Sequence, residues 1–356
     1  MRHLLTLIAL CSLASSATAA TKPVKVFILA GQSNMDGQAN VSTIDYLGED
    51  PDPARAALLK KFKPDGKTLV TRRDVWVASD AVSGDLGPGY GGRKDYTKLG
   101  SNIGPEDAFG YFMGEATEEQ VLLIKYAPGG QSLFQNFRPP SAGLPEPMPT
   151  KTLPDKTKVP MTAEDFGGQY RGMISYVHDV LGHLKIRFPA YDEKAGYEIA
   201  GMVWFQGFND LVGGPTCIAP YSKNLVCLIN DVRKEFKVPR MKVVVGVIGV
   251  NGVQNETGKM KDLRDAMRSM NTVPEFAGNV KAIESAPLLD ARVVALKTAG
   301  WLNKERDLKT HPLTPDEEAM LKRATSNLGF HYFGEGRFFI LLGKSFAETM
   351  LELLKN

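Results

Sequence analysis

The chain reads as an α/β fold with a doubly wound parallel sheet. Three observations predict it: short, nearly continuous apolar runs that stop at turn residues, amphipathic helical stripes between them, and no internal repeat. Near-continuous apolarity is what strands need when helices cover both faces of a sheet, and joining such strands through helices gives right-handed crossovers. With 356 residues, 43% hydrophobic and 23% charged, the chain can bury a large core and is neither disordered nor collagen-like.

Residues 1–19 read as a cleavable leader: Arg2, an apolar run over 4–13, and small residues up to Ala19 and Ala20. The run is shorter than the roughly 20 residues that span a bilayer, and no later segment is long and apolar enough to do so. A secreted or periplasmic location follows, with residues 20–356 as one domain. Cys11 leaves with the leader, so Cys217 and Cys227 remain either as a disulfide or as two free thiols.

The first strand covers 24–30 and stops at Gly31; similar runs fall at 121–126, 199–205 and 242–250, with a weaker one at 280–285. In 170–188 the residues Met173, Ile174, Val177, Val180, Leu181 and Leu184 make one helical stripe. Phe339, Leu342, Phe346, Met350 and Leu353 make another near the end. Two polar stretches, about 39–104 and 135–166, each follow a strand and read as loops walling a cleft. Lys plus Arg number 43 against 40 for Asp plus Glu, with no block of like charge, which argues against nucleic acid as the main partner.

Chemistry gathers where successive strands end. The first ends in Gly31-Gln32-Ser33-Asn34-Met35, where Ser33 is either a nucleophile or a helix cap. The second ends in Ala127-Pro128-Gly129-Gly130, whose glycines let the backbone approach a ligand or merely turn. The third ends in Gln206-Gly207-Phe208-Asn209-Asp210, with Asn209 as a carboxamide donor. A hydroxyl and preorganised donors at one sheet edge suit acyl transfer. The base the serine needs is His331, delivered by a loop before the last helix; His311 lies in a polar surface segment. His178 and His183 fall off their helix's apolar stripe, five residues apart, which does not suit a metal site.

Gly-Gln-Ser-Asn-Met, Gly104-Pro105-Glu106, Gly129 to Leu133, Trp204 to Gly207 and a C-terminal His, in this order, resemble the sialate O-acetylesterase domain. That domain is grouped with the carbohydrate esterase family 6 acetylxylan esterases in the SGNH hydrolase superfamily. The resemblance implies a flavodoxin-like three-layer α/β/α sandwich that removes O-acetyl groups from sugars without metal or cofactor. It makes Ser33 the nucleophile and His331 the base, with the Ser33 and Gly130 N–H groups and Asn209 forming the oxyanion hole.

Two positions depart from the pattern. Leu328 stands three residues before the His, where many SGNH enzymes carry Asp, and Phe208 stands where many family members carry Glu. The triad acid is therefore open: a dyad oriented by a backbone carbonyl, or an acid such as Asp210 or Glu106. Gln32, Gln206 and Arg138 are expected to touch the sugar. The expected function is a secreted carbohydrate O-acetylesterase working through an acetyl-serine. The rival readings are a carbohydrate-binding protein with little turnover, motivated by the two missing acids, and a hydrolase of longer acyl groups.

Overall fold

A computed structural model describes residues 22–356; the expected leader at 1–19 and Cys11 lie outside the described residues. Seven strands form the main sheet: β1 Val24–Gly31, β2 Arg72–Ser79, β3 Val82–Leu86, β4 Val121–Tyr126, β5 Tyr197–Phe205, β6 Lys242–Val247 and β7 Val280–Glu284. Their order is β7-β6-β5-β1-β4-β2-β3. All neighbours are parallel except β2 and β3, so the sheet is mixed, with an antiparallel hairpin at one edge.

The five apolar runs read from sequence are β1, β4, β5, β6 and β7. The hairpin β2–β3 falls inside the stretch 39–104 that composition assigns to loop. Only Val75, Trp76, Val77 and Ala78 make an apolar run there, and β3, with one neighbour, keeps the polar residues of an edge strand.

Helices cover both faces. The helices used below are α1 Ser33–Asp36, α2 Pro105–Ala116, α3 Gly168–Gly182, α4 Phe208–Gly213, α5 Tyr221–Glu235, α6 Gly258–Arg268, α7 Pro315–Ala324 and α8 Gly336–Leu354. Adjacent residues at the end of β5 show the two faces, because successive side chains of a strand point opposite ways. Phe205 packs edge-on to Phe346 of α8, and Trp204 donates to the Tyr221 hydroxyl of α5. On the α8 side, Phe109 of α2 meets Phe27 of β1. One contiguous apolar core runs from Val24 to Leu353.

The chain leaves β1 for β2 and β3, returns through α2 to β4, and then crosses over β1 through α3 to reach β5. The direction of winding therefore reverses at β1. Ligand crevices of open α/β sheets lie at such a point, beyond the carboxyl ends of the strands.

A buried cation stitches the β1–β4 side of that edge. Lys125 of β4, 2% exposed, donates to the carbonyls of Asp36 (2.6 Å) and Tyr90 (2.8 Å), and pairs with Glu106 at 2.9 Å. Glu106 also accepts from the Gly104 N–H just ahead of α2. The Gly-Pro-Glu motif thus starts a helix and neutralises the lysine that holds α1. Removing one partner of such a pair strands the other charge. Lys125→Met is expected to lower stability by about 3–5 kcal/mol, measured by denaturant unfolding.

Candidate active site

Ser33 opens α1 immediately beyond β1. A Cβ on Gly31 would sit 2.2 Å from the Phe205 carbonyl oxygen and 2.7 Å from the Met35 Cβ, so glycine is required there for close approach of strand end and helix. As the first residue of a helix, Ser33 has an amide N–H without an intrahelical acceptor. Its half-buried side-chain hydroxyl makes no hydrogen bond among the described residues.

Carboxamides join this turn to the other strand ends. The Gln32 Oε1 accepts from Gln206 Nε2 (3.2 Å) and from the Gly207 and Asn209 N–H groups (both 3.3 Å), while Gln32 Nε2 donates to Asn209 Oδ1 (3.1 Å). Asn209 Nδ2 donates one hydrogen to the Gly130 carbonyl at 2.9 Å, leaving its second for a ligand. Gly130 is exposed at φ +71°, a left-handed conformation, with open space where a Cβ would be. The neighbouring Gly129 is close enough that its Cβ would lie 3.8 Å from the Ser33 Cβ.

His331 arrives from the far end of the chain. Asn34, next to Ser33, donates from Nδ2 to the carbonyl of Phe330, next to His331, at 3.1 Å. A second tie runs from the Asn40 N–H to the Ser326 hydroxyl at 3.0 Å. The half-buried ring of His331 lies against Phe330, with centroids 4.4 Å apart, and its Nδ1 is 3.1 Å from Asn327 Oδ1. Nε2 has no hydrogen bond among the described residues. Tyr332 and Phe333 follow with φ +53° and +58°, left-handed values that cost a non-glycine residue on the order of 1 kcal/mol or more. The turn is held by packing: Tyr332 stacks on Phe338 at 4.0 Å, and its hydroxyl accepts from the Gly249 N–H at 2.9 Å.

Two cavities flank the serine turn. One of about 590 Å³ is walled by Phe208, Met260, Trp301, Leu328 and Phe330, with Asn255 and Lys259 at its polar side. Phe208 and Phe330 stack at 5.5 Å, and Phe208 and Leu328, the two positions where the family pattern would put an acid, both line this space. Trp301 stays 59% exposed there. The other, about 230 Å³, has a mixed lining that includes Asp36, Asp80, Tyr126 and Gly129. Burial pushes Asp36 up to about 7, against the pull of Lys125. Among the described residues no group of three or more His, Cys, Asp or Glu side chains is placed to hold a metal ion.

The structure thus gathers Ser33, Gly130, Asn209 and His331 at one edge, and it corrects other expectations. Asp210 is not the partner of His331. Its carboxylate accepts from the Leu133 N–H (2.9 Å), the Phe134 N–H (2.8 Å) and Gln206 Nε2 (2.6 Å), anchoring the loop after β4, and desolvation raises its pKa to about 6. Glu106 faces Lys125 instead. Gln32 and Gln206, each 1% exposed, are spent inside the carboxamide network and cannot touch a sugar. Arg138 is buried as well, donating to the carbonyls of Phe134, Ala142 and Gly143 within its own loop. Cys217 and Cys227 are free thiols, unjoined. His178, His183 and His311 lie outside the site, on exposed positions. Asn327, Asn34 and Lys125 are residues that sequence reasoning missed; Asn327 stands four before His331, one position from where the acid was sought.

A mostly parallel seven-stranded sheet with helices on both sides is a three-layer α/β architecture, and here it carries a serine, amide donors and a histidine at its carboxyl edge. The family model described as "Carbohydrate esterase, sialic acid-specific acetylesterase" matches residues 23–292, and the chain belongs to that family. Among solved structures it is similar to NanS, with 11% identity, a TM-score of 0.50, and coverage of 95% of this chain and 99% of that one. A protein from Arabidopsis thaliana matches with 16% identity and a TM-score of 0.48 over 92% of this chain and 98% of that one. A carbohydrate acetylesterase from Xanthomonas citri matches with 12% identity and a TM-score of 0.38 over 73% and 49%. No curated protein matches the sequence.

Burial of the His331 ring disfavours the imidazolium and holds its pKa below the ordinary 6.5. The ring is therefore neutral, and able to accept a proton, at all pH values above that lowered midpoint. NMR titration of the imidazole is expected to give a midpoint under 6.5; a midpoint at or above 7 would contradict the burial seen here.

Proposed function

We propose that the protein is a secreted serine esterase that removes O-acetyl groups from carbohydrates through an acetyl-serine intermediate. The observation that carries this reading is that two groups with no hydrogen bond among the described residues, the Ser33 hydroxyl and the His331 Nε2, stand on segments tied together by the Asn34–Phe330 hydrogen bond. Membership of the carbohydrate esterase family supports the substrate class. Secretion rests on the leader read in residues 1–19; no described helix is long and apolar enough to cross a membrane.

In this reading the Ser33 Oγ attacks the acetyl carbonyl carbon as His331 Nε2 takes its proton. Negative charge develops on the carbonyl oxygen, where the Ser33 and Gly130 N–H groups and the second Nδ2 hydrogen of Asn209 receive it. The tetrahedral intermediate collapses, the sugar alcohol leaving with the proton from Nε2. Water then attacks acetyl-Ser33 by the same route, returning the serine and releasing acetate.

An acetyl group has two carbons, so a cavity of about 590 Å³ beside the base has room for the alcohol part of the ester. Its aromatic walls suit the apolar C–H face of a sugar ring, and Asn255 and Lys259 offer polar contacts along one side.

Ser33→Ala is expected to abolish acetate release from acetylated polysaccharide and from 4-nitrophenyl acetate; a variant with wild-type activity would overturn the assignment. Binding of acetylated glycan with no acetate release by the wild type would instead favour a binding protein. Asn209→Ala removes one oxyanion donor and frees the Gly130 carbonyl it holds, so kcat should fall by about 10²–10³ with KM little changed. Trp301→Ala should raise KM for the acetylated sugar roughly two- to tenfold and leave kcat near wild type, the loss of one aromatic contact.

A further inference from the structure

Resting on that esterase reading, we infer that Asn327 is the positioning residue of His331: its side-chain carbonyl fixes the tautomer and orientation of the imidazole, as a carboxylate does in an acid-containing triad. The orientation of the carboxamide is decided by its other contacts. The Leu328 N–H donates to Asn327 Oδ1 at 2.7 Å, and a donor must face the oxygen, while Nδ2 points to the Gln38 carbonyl at 3.5 Å. The same oxygen lies 3.1 Å from His331 Nδ1. An oxygen there can only accept, so Nδ1 carries the hydrogen and the lone pair sits on Nε2, the nitrogen that must take the Ser33 proton. The backbone of Asn327 is itself fixed, its N–H donating to the Phe333 carbonyl at 2.9 Å.

No charge assists this arrangement. Leu328 and Phe208 occupy the positions where the family pattern carries acids, and the charged groups on surrounding elements have other surroundings. Asp36 of α1 lies by Lys125, Asp210 of α4 is held by backbone N–H groups, Glu335 ahead of α8 pairs with Arg337, and Lys259 of α6 lines the cavity. None of them contributes to the lowered pKa of His331, which comes from burial. A neutral acceptor sets geometry without stabilising the imidazolium. The base is thereby kept available at mildly acidic pH.

Asn327→Asp keeps both oxygen-accepted contacts and adds a negative charge, whereas Asn327→Ala removes the acceptor. In the Ser33→Ala background, where turnover plays no part, Asn327→Asp is expected to raise the NMR titration midpoint of His331 by about one pH unit or more. In active protein, Asn327→Ala should lower kcat on an acetylated sugar by about ten- to a hundredfold with KM little changed. Asn327→Asp should recover most of that loss at pH 8, with the acid limb of kcat/KM displaced upward by the same amount as the titration. An unchanged His331 midpoint in folded Asn327→Asp protein, or wild-type kcat and pH profile in Asn327→Ala, would overturn the inference. If the wild type cleaves no acetyl ester, the esterase reading falls, and the titration still decides whether Asn327 governs the histidine.

Discussion

The site depends on a buried set of carboxamides and one carboxylate that joins three strand ends. Gln32 follows β1, Gln206 and Asn209 follow β5, and Asp210 reaches back to the loop after β4. In a medium of low polarity each of these bonds is stronger than in water, and each unmade one costs more. The network is thus close to all-or-none. Because the Gln32 oxygen collects donors from Gln206, Gly207 and Asn209, the Ser33 turn and the Asn209 loop share one anchor. Asp210 serves the same end from below, its oxygens consumed by backbone N–H groups.

The charge balance around Ser33 and His331 is set by carboxylates that are already paired and by apolar neighbours. Carboxylates stand on either side of the serine turn, but each is committed: Glu106 to Lys125, Asp210 to backbone and carboxamide donors. The wall on the histidine's side is aromatic and aliphatic. This separates two tasks that one acidic residue often combines, orientation of the imidazole and stabilisation of its charged form. In the proposed mechanism geometry is supplied by an amide and by a strained turn packed under Tyr332, and the electrostatic benefit is forgone.

Much of this was legible in the chain. The strands that carry chemistry are the most buried and so the most uniformly apolar, and Ser33, Gly130, Asn209 and His331 stand at or just beyond turns that end such runs or precede the last helix. The β2–β3 hairpin escaped because an edge pair exposes one side and reads as polar loop. Gln32, Gln206 and Arg138 depart from the expectation for a different reason: a polar residue near a turn gives no sign in sequence of whether it faces a ligand or the interior, and these three face inward. Asp210 shares that ambiguity. Asn327 is not legible in sequence because it offers acceptance of a hydrogen bond in place of acidity and sits one residue off the expected spacing.

The tie between Asn34 and Phe330 also has a meaning in time. It closes a loop of 296 residues, nearly the whole described chain, between the nucleophile's turn and the base's. Contacts of such long sequence separation form late, after more local structure has closed most of the intervening distance. A nascent chain therefore carries its serine from the first strand onward but gains a proton acceptor only when the last segment docks. In the proposed mechanism Ser33 and His331 can act together only once that last segment has docked, so reactivity waits on completion of the fold.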